Sequence, residues 1–158
     1  MIAHPTPETV ADKIAIQEVL NDLVMAADER DWERLALRFA DNVEIAYHTT
    51  ADPDASVEPP VVRPAKDIIA DWTSLFAHTR GTQHSLTNQV IEVDGDTATS
   101  KAYVTSFHVA LPRLNADQWH QTFGAYRHKY QKIDGVWRVT SMIYKQLYAV
   151  GNPSFFPH

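Results

Sequence analysis

Between Pro7 and Glu29 apolar side chains return every three or four residues, at Val10, Ile14, Leu20, Leu23, Val24 and Ala27. That interval is the pitch of an α-helix with one apolar stripe. Pro7 suits a first turn, and Glu8 sits where the helix dipole is positive. The pattern predicts one amphipathic helix over residues 7–29. A second, shorter helix is expected after Asp31, whose side chain can cap it, through WERLALRFA. NVEIAYH then alternates as a strand. The stretch TTADPDASVEPPVVRP (49–64) holds four of the nine prolines and reads as a loop, a candidate lid. AKDIIADWTSLFAHT follows as a third helix.

Beyond Gly81 the texture changes. Aromatic and β-branched residues alternate with polar ones in QHSLTNQVIEVDGDTATSKAYVTSFHVAL and QWHQTFGAYRHKYQKIDGVWRVTSMIYKQLY. Asp94–Gly95 and Asp134–Gly135 mark two tight hairpin turns. Four long, antiparallel strands are expected. Helices first and strands second predict an α+β fold, with a curved sheet carrying helices on one face. A sheet wrapped around those helices would form a cone with a cavity inside. No repeat, linker or low-complexity segment interrupts residues 1–158, so one domain is expected.

Composition narrows the partners. There is no cysteine, which excludes disulfides, thiol nucleophiles and cysteine-ligated zinc. The net charge is −6 and the 14 basic residues are scattered, which argues against a nucleic-acid backbone as ligand. No apolar run is long enough to span a bilayer, and MIAHPTPETVADK lacks the features of a secretory leader. A cytoplasmic protein acting on a small molecule is the expectation.

Candidate chemistry centres on histidine. There are eight, and His84, His108, His120 and His128 fall on predicted strands. Residues two apart on a strand share a face. His84 therefore looks the same way as Leu86 and Asn88. His108 shares its face with Ala98, Ala102, Val104, Ser106 and Ala110, small residues that leave volume unfilled. His120, Thr122, Gly124, Tyr126, His128 and Tyr130 form a third such row. The polar run TQHSLTN (82–88) would be explained if His84 and Asn88 lined a pocket, and equally by a wet sheet face. Asp28 continues the periodicity of Leu20, Leu23, Val24 and Ala27, which places a carboxylate at the edge of the buried stripe. Such a group needs a partner, and an imidazole is a natural one. No phosphate loop, nucleophile elbow or HExxH motif is present, and no metal site or cofactor is expected.

AADERDWERL, TQHSLTN and YQKIDGVWRV together resemble the SnoaL-like branch of the NTF2-like superfamily, over about residues 10–145. That branch includes scytalone dehydratase and hexachlorocyclohexane dehydrochlorinase. The resemblance implies helices and a curved, mostly antiparallel mixed sheet around one deep pocket, often in trimers or dimers. It implies that Asp28 and His84 point into that pocket. In the dehydrochlorinase the matching residues form a base dyad; in the dehydratase the matching aspartate pairs with a histidine on the next strand, for which His108 is the counterpart. Tyr47 resembles a tyrosine that polarises substrate through water. Two departures, Ala27 in place of a tyrosine and Tyr126 in place of an asparagine, make scytalone itself an unexpected substrate.

The reading that follows is a cofactor-free lyase or isomerase with Asp28 and His84 as acid/base pair. Tyr47, Asn88, His108 and Tyr126 would contact a mostly apolar, ring-containing substrate. Phe76, Phe107, Phe123 and Trp119 are available to line such a cavity. The alternative is a non-catalytic ligand-binding protein, or a structural subunit of the ring-hydroxylating dioxygenase type, whose pocket should be filled by side chains. The C-terminal GNPSFFPH would close the pocket or pack on a neighbouring subunit.

Overall fold

The computed structural model describes residues 6–49, 59–110 and 118–155. The first helix, α1, spans Pro7–Glu29, with the Thr6 side chain accepting a hydrogen bond from the Thr9 amide at 3.3 Å. Its buried stripe begins at Ile16 and runs through Val19, Leu20, Leu23, Val24, Ala26 and Ala27, while Val10 and Ile14 remain exposed. Arg30 ends the helix in a left-handed conformation (φ 62°). Asp31 caps α2 (Trp32–Ala36) by accepting from the Arg34 amide at 3.0 Å. This helix is shorter than the periodicity suggests, because Phe39 already belongs to the first strand and is buried in the core.

The strands are β1 (Phe39–His48), β2 (Val61–Pro64), β3 (Gly81–Asp94), β4 (Thr97–Val109), β5 (Trp119–Ile133) and β6 (Val136–Gly151), with α3 (Ala65–Phe76) after β2. They form one mixed sheet in the order β2-β1-β6-β5-β4-β3. β1 and β6 run parallel and every other pair is antiparallel. Strand β2 lies inside the stretch expected to be loop, and residues 50–58 of that stretch lie outside the described residues. Register shifts interrupt the β1–β6, β3–β4 and β5–β6 pairs, where a strand bends locally, and the sheet stays open between β2 and β3.

Asp134 (φ 51°) and Gly135 (φ 78°) make the second hairpin turn as expected. The first turn is displaced by one residue to Gly95–Asp96, since Asp94 pairs with Thr97 and Gly95 takes the positive φ of 57°. Burial on β4 alternates without a break, with Ala98, Ser100, Ala102, Val104, Ser106 and His108 all turned inward. That row is therefore covered rather than wet. At the Ser106–His108 end the row borders open space. No helix among the described residues is long and apolar enough to cross a membrane.

Candidate active site

The space beside Ser106 and His108 opens into a cavity of about 680 Å³. Leu23, Val24 and Ala27 of α1 and Ile68, Leu75 and Phe76 of α3 supply its apolar wall. The sheet supplies the polar wall, from His84, Ser106, His108, His120, Thr122 and Tyr126. Arg63 and Asp71 stand at the exposed end and pair at 2.7 Å.

Asp28 and His84 meet. The His84 ring donates through Nδ1 to Asp28 Oδ1 at 2.7 Å, and the His84 amide donates to Oδ2 at 2.7 Å. Oδ1 also accepts from the Thr82 hydroxyl at 2.8 Å. A carboxylate oxygen only accepts, so Nδ1 carries a proton and Nε2 is the ring nitrogen left to exchange one with a ligand. Burial pushes the Asp28 carboxyl up, but the hydrogen bonds and charge of His84, its amide and Thr82 outweigh it and hold the pKa below the ordinary value. Asp28 stays ionised behind His84, and only the imidazole lines the cavity.

His108 is not the partner of Asp28. Its ring stands 5.6 Å from that of His84, nearly perpendicular to it, and stacks on Phe76 at 5.7 Å. Burial, then the two imidazoles of His84 and His120, pull its pKa down to about 3, so it is a neutral ring at physiological pH. Tyr126 is held as a neutral phenol by burial, Tyr144 and Asp28. Tyr47 reaches the cavity from β1, and its hydroxyl accepts from Trp72 Nε1 at 2.6 Å. Indole N–H only donates, so the phenolic proton of Tyr47 points elsewhere.

Asn88 does not join this group. It sits exposed at the bulge between Thr87 and Val90 with φ 54°, where an extra residue breaks the alternation that placed it beside His84. Of the four aromatics expected to line the pocket, Phe76 does so. Phe107 lies tilted against Trp119 at 5.8 Å and Phe123 stacks on Tyr148 at 4.4 Å, outside the cavity lining. His120, Thr122 and Tyr144 also line the cavity; the row holding His120 and Thr122 was visible in the sequence without a role assigned to either, and Tyr144 was not singled out. His120 donates from Nδ1 to the Asn152 carbonyl at 2.9 Å. Phe155 is buried against His78, His108 and His120, so the tail packs on this end of its own chain. Residues 156–158 lie outside the described part. Among the described residues no group of three or more His, Asp or Glu side chains is placed to hold a metal ion.

The profile of the SnoaL-like domain matches residues 8–143, a span that includes both members of the dyad. The chain belongs to the SnoaL-like domain family. Its fold, the open NTF2-like cone, recurs in solved structures. One is the Kfla4162 protein of Kribbella flavida (TM-score 0.79, 22% identity, 89% of this chain and 94% of that one). Another is a candidate scytalone dehydratase of Novosphingobium aromaticivorans (0.73, 19%, 92% and 94%). A third is the hexachlorocyclohexane dehydrochlorinase LinA-type3 of Novosphingobium barchaimii (0.69, 19%, 92% and 92%). At these identities the likeness speaks for the fold of this SnoaL-like chain. No curated protein sequence matches it significantly.

Proposed function

We propose that this SnoaL-like protein is a lyase or isomerase that transfers protons with its own side chains and no cofactor. Asp28 fixes the tautomer of His84, and His84 Nε2 removes a proton from a carbon next to an electron-withdrawing group. Neutral donors on the other walls, His108, Tyr126 and Tyr47, stabilise the developing oxyanion. Loss of water or another β-leaving group, or return of the proton elsewhere, completes the turnover. The observation that carries this reading is the 2.7 Å Asp28–His84 contact set against an open cavity. The names of two structural neighbours, a dehydratase and a dehydrochlorinase, support it.

The cavity also bears on the substrate. Arg63 and Asp71 are the Arg and Asp side chains among its described lining residues, and they neutralise each other. A carboxylate or phosphate would find no cation held ready for it. An uncharged, largely apolar ring compound with a few oxygens fits better. A structural subunit would fill this space with side chains, and an open volume of about 680 Å³ beside the dyad favours catalysis.

The test uses 2-tetralone and cyclic ketones bearing a β-hydroxy or β-chloro group. The protein should accelerate deuterium incorporation at the α-carbon in D2O, or elimination, read by proton NMR. His84→Ala and Asp28→Asn should each lower the rate by about 10²–10⁴-fold while the protein stays folded. Variants that keep the wild-type rate would overturn the assignment.

A further inference from the structure

Arg30 closes α1 in a left-handed conformation that glycine adopts more easily, yet an arginine stands there and donates through both of its terminal nitrogens. Its Nη1 donates to the Ala27 carbonyl (2.7 Å) and to the Thr82 hydroxyl (2.8 Å), the more distant Asp28 carbonyl (3.2 Å) sharing one of these two hydrogens. Nη2 donates to the Thr79 hydroxyl at 2.6 Å, and the guanidinium lies 4.9 Å from the centre of the Phe76 ring. One side chain thus joins the end of α1, the turn after α3 and the start of β3. We propose that Arg30 is a positioning residue for the Asp28–His84 dyad, acting through the hydroxyl of Thr82.

A threonine hydroxyl has a single hydrogen, and a guanidinium can only donate. With Arg30 occupying a lone pair of Thr82 Oγ1, the hydroxyl hydrogen is left for Asp28 Oδ1, 2.8 Å away. That hydrogen bond, with the two from His84, settles which way the carboxylate faces. Without Arg30 the Thr82 hydroxyl can rotate, donating to another acceptor or accepting from another donor. Asp28 then loses one of its three anchors and holds the imidazole less firmly. Phe76 adds a second link, since the ring under the guanidinium also stacks on His108 and meets His84 edge-on at 6.5 Å. Neither Arg30 nor Thr82 lines the cavity, so both act at one remove from any ligand.

This inference rests on the proposed acid/base role, and its test separates the two. The imidazole Nδ1 proton of His84 is observed by proton NMR in water at neutral pH, assigned by its loss in Asp28→Asn. Arg30→Gly, which suits the left-handed position, and Thr82→Val are compared with Thr82→Ser, which keeps the hydroxyl. In Arg30→Gly and Thr82→Val the proton should exchange with solvent about tenfold faster, the equivalent of one hydrogen bond to a charged group. Thr82→Ser should match the wild type. Deuteration of 2-tetralone should follow the same order, with kcat down about tenfold and KM unchanged. Thr82→Val leaves the contacts of Arg30 to Ala27 and Thr79 in place, so a merely structural cap would not register there. If Arg30→Gly does not fold, the valine–serine pair decides. Wild-type exchange rates in Thr82→Val would overturn the proposal. A wild-type protein inert toward the ketones, with the proton still labile in Thr82→Val, would count against the catalytic reading and for the role of Arg30.

Discussion

His128 should make this protein acid-sensitive. It sits on β5 opposite Ser100 and Met142, flanked by the rings of Tyr126 at 5.2 Å and Tyr130 at 6.0 Å. The side chain is 2% exposed, and neither ring nitrogen has a hydrogen-bond partner among the described residues. Burial pulls its pKa from 6.5 down to about 3, and His108 reaches about 3 as well, for the reasons given above. Both rings are therefore neutral in the folded chain at pH 5, whereas in the unfolded chain they bind protons below about pH 6.5. The unfolded state gains protons first as pH falls, so stability present above pH 6.5 is lost toward acid.

A group that titrates near 6.5 unfolded and near 3 folded costs about 2 kcal/mol between pH 7 and pH 5, so the pair costs about 4. The figure hardly changes for any folded value below about 4, because the folded ring stays neutral throughout the window. The carboxylates with lowered pKa, Asp12, Asp22, Asp28 and Glu44, give up their contributions at more acid pH. Urea denaturation at pH 7, 6 and 5 measures the slope. In His128→Leu, which removes one of the two rings, the loss between pH 7 and 5 should shrink by about 2 kcal/mol. A variant whose stability tracks the wild type across that range would refute the reasoning.

Two smaller predictions concern the backbone. A Cβ on Gly124 would lie 2.5 Å from the Tyr144 ring and 2.6 Å from the Lys145 carbonyl, so Gly124→Ala should cost about 1–3 kcal/mol in denaturant unfolding, backbone being slow to yield. Asn88 has a positive φ and lies outside the cavity, so Asn88→Gly should leave ketone turnover unchanged and stability within about 0.5 kcal/mol of wild type.

The helical interval from Leu20 to Ala27, the first-turn proline Pro7 and the cap at Asp31 were legible because they depend on neighbours within a turn or two. The same holds for the alternation along β4 and the turn at Asp134–Gly135. What escaped was set at longer range. Nothing near Phe39 announces that it will leave the helical pattern and run parallel to β6, since that pairing joins segments about a hundred residues apart. The displaced turn at Gly95 reflects a local ambiguity: Asp-Gly and Gly-Asp both offer a residue for positive φ, and cross-strand register chooses between them. The bulge at Asn88 then undid one site residue, because a single inserted position reverses every inward and outward assignment beyond it.

For the site, the readable part was the conflict. A carboxylate at the edge of an apolar stripe and a histidine in a polar stretch of strand are each anomalous alone, and their meeting resolves both. Arg30 carries no such anomaly. An arginine at the end of a helix is unremarkable as a letter, and its role arises only once the left-handed turn sends the guanidinium back across Thr82 and Phe76. Asp28 and His84 can therefore each be flagged in a sequence by what they violate, but their pairing was implied only by the family resemblance, and the groups that aim them are not visible there at all. If Arg30 and Thr82 set the angle at which His84 Nε2 meets its substrate, two chains with the same dyad and different residues at these positions would abstract protons with different efficiency. Grafting Asp28 and His84 alone onto a related cone would then fall short of full activity, and adding Arg30 with Thr82 would restore it.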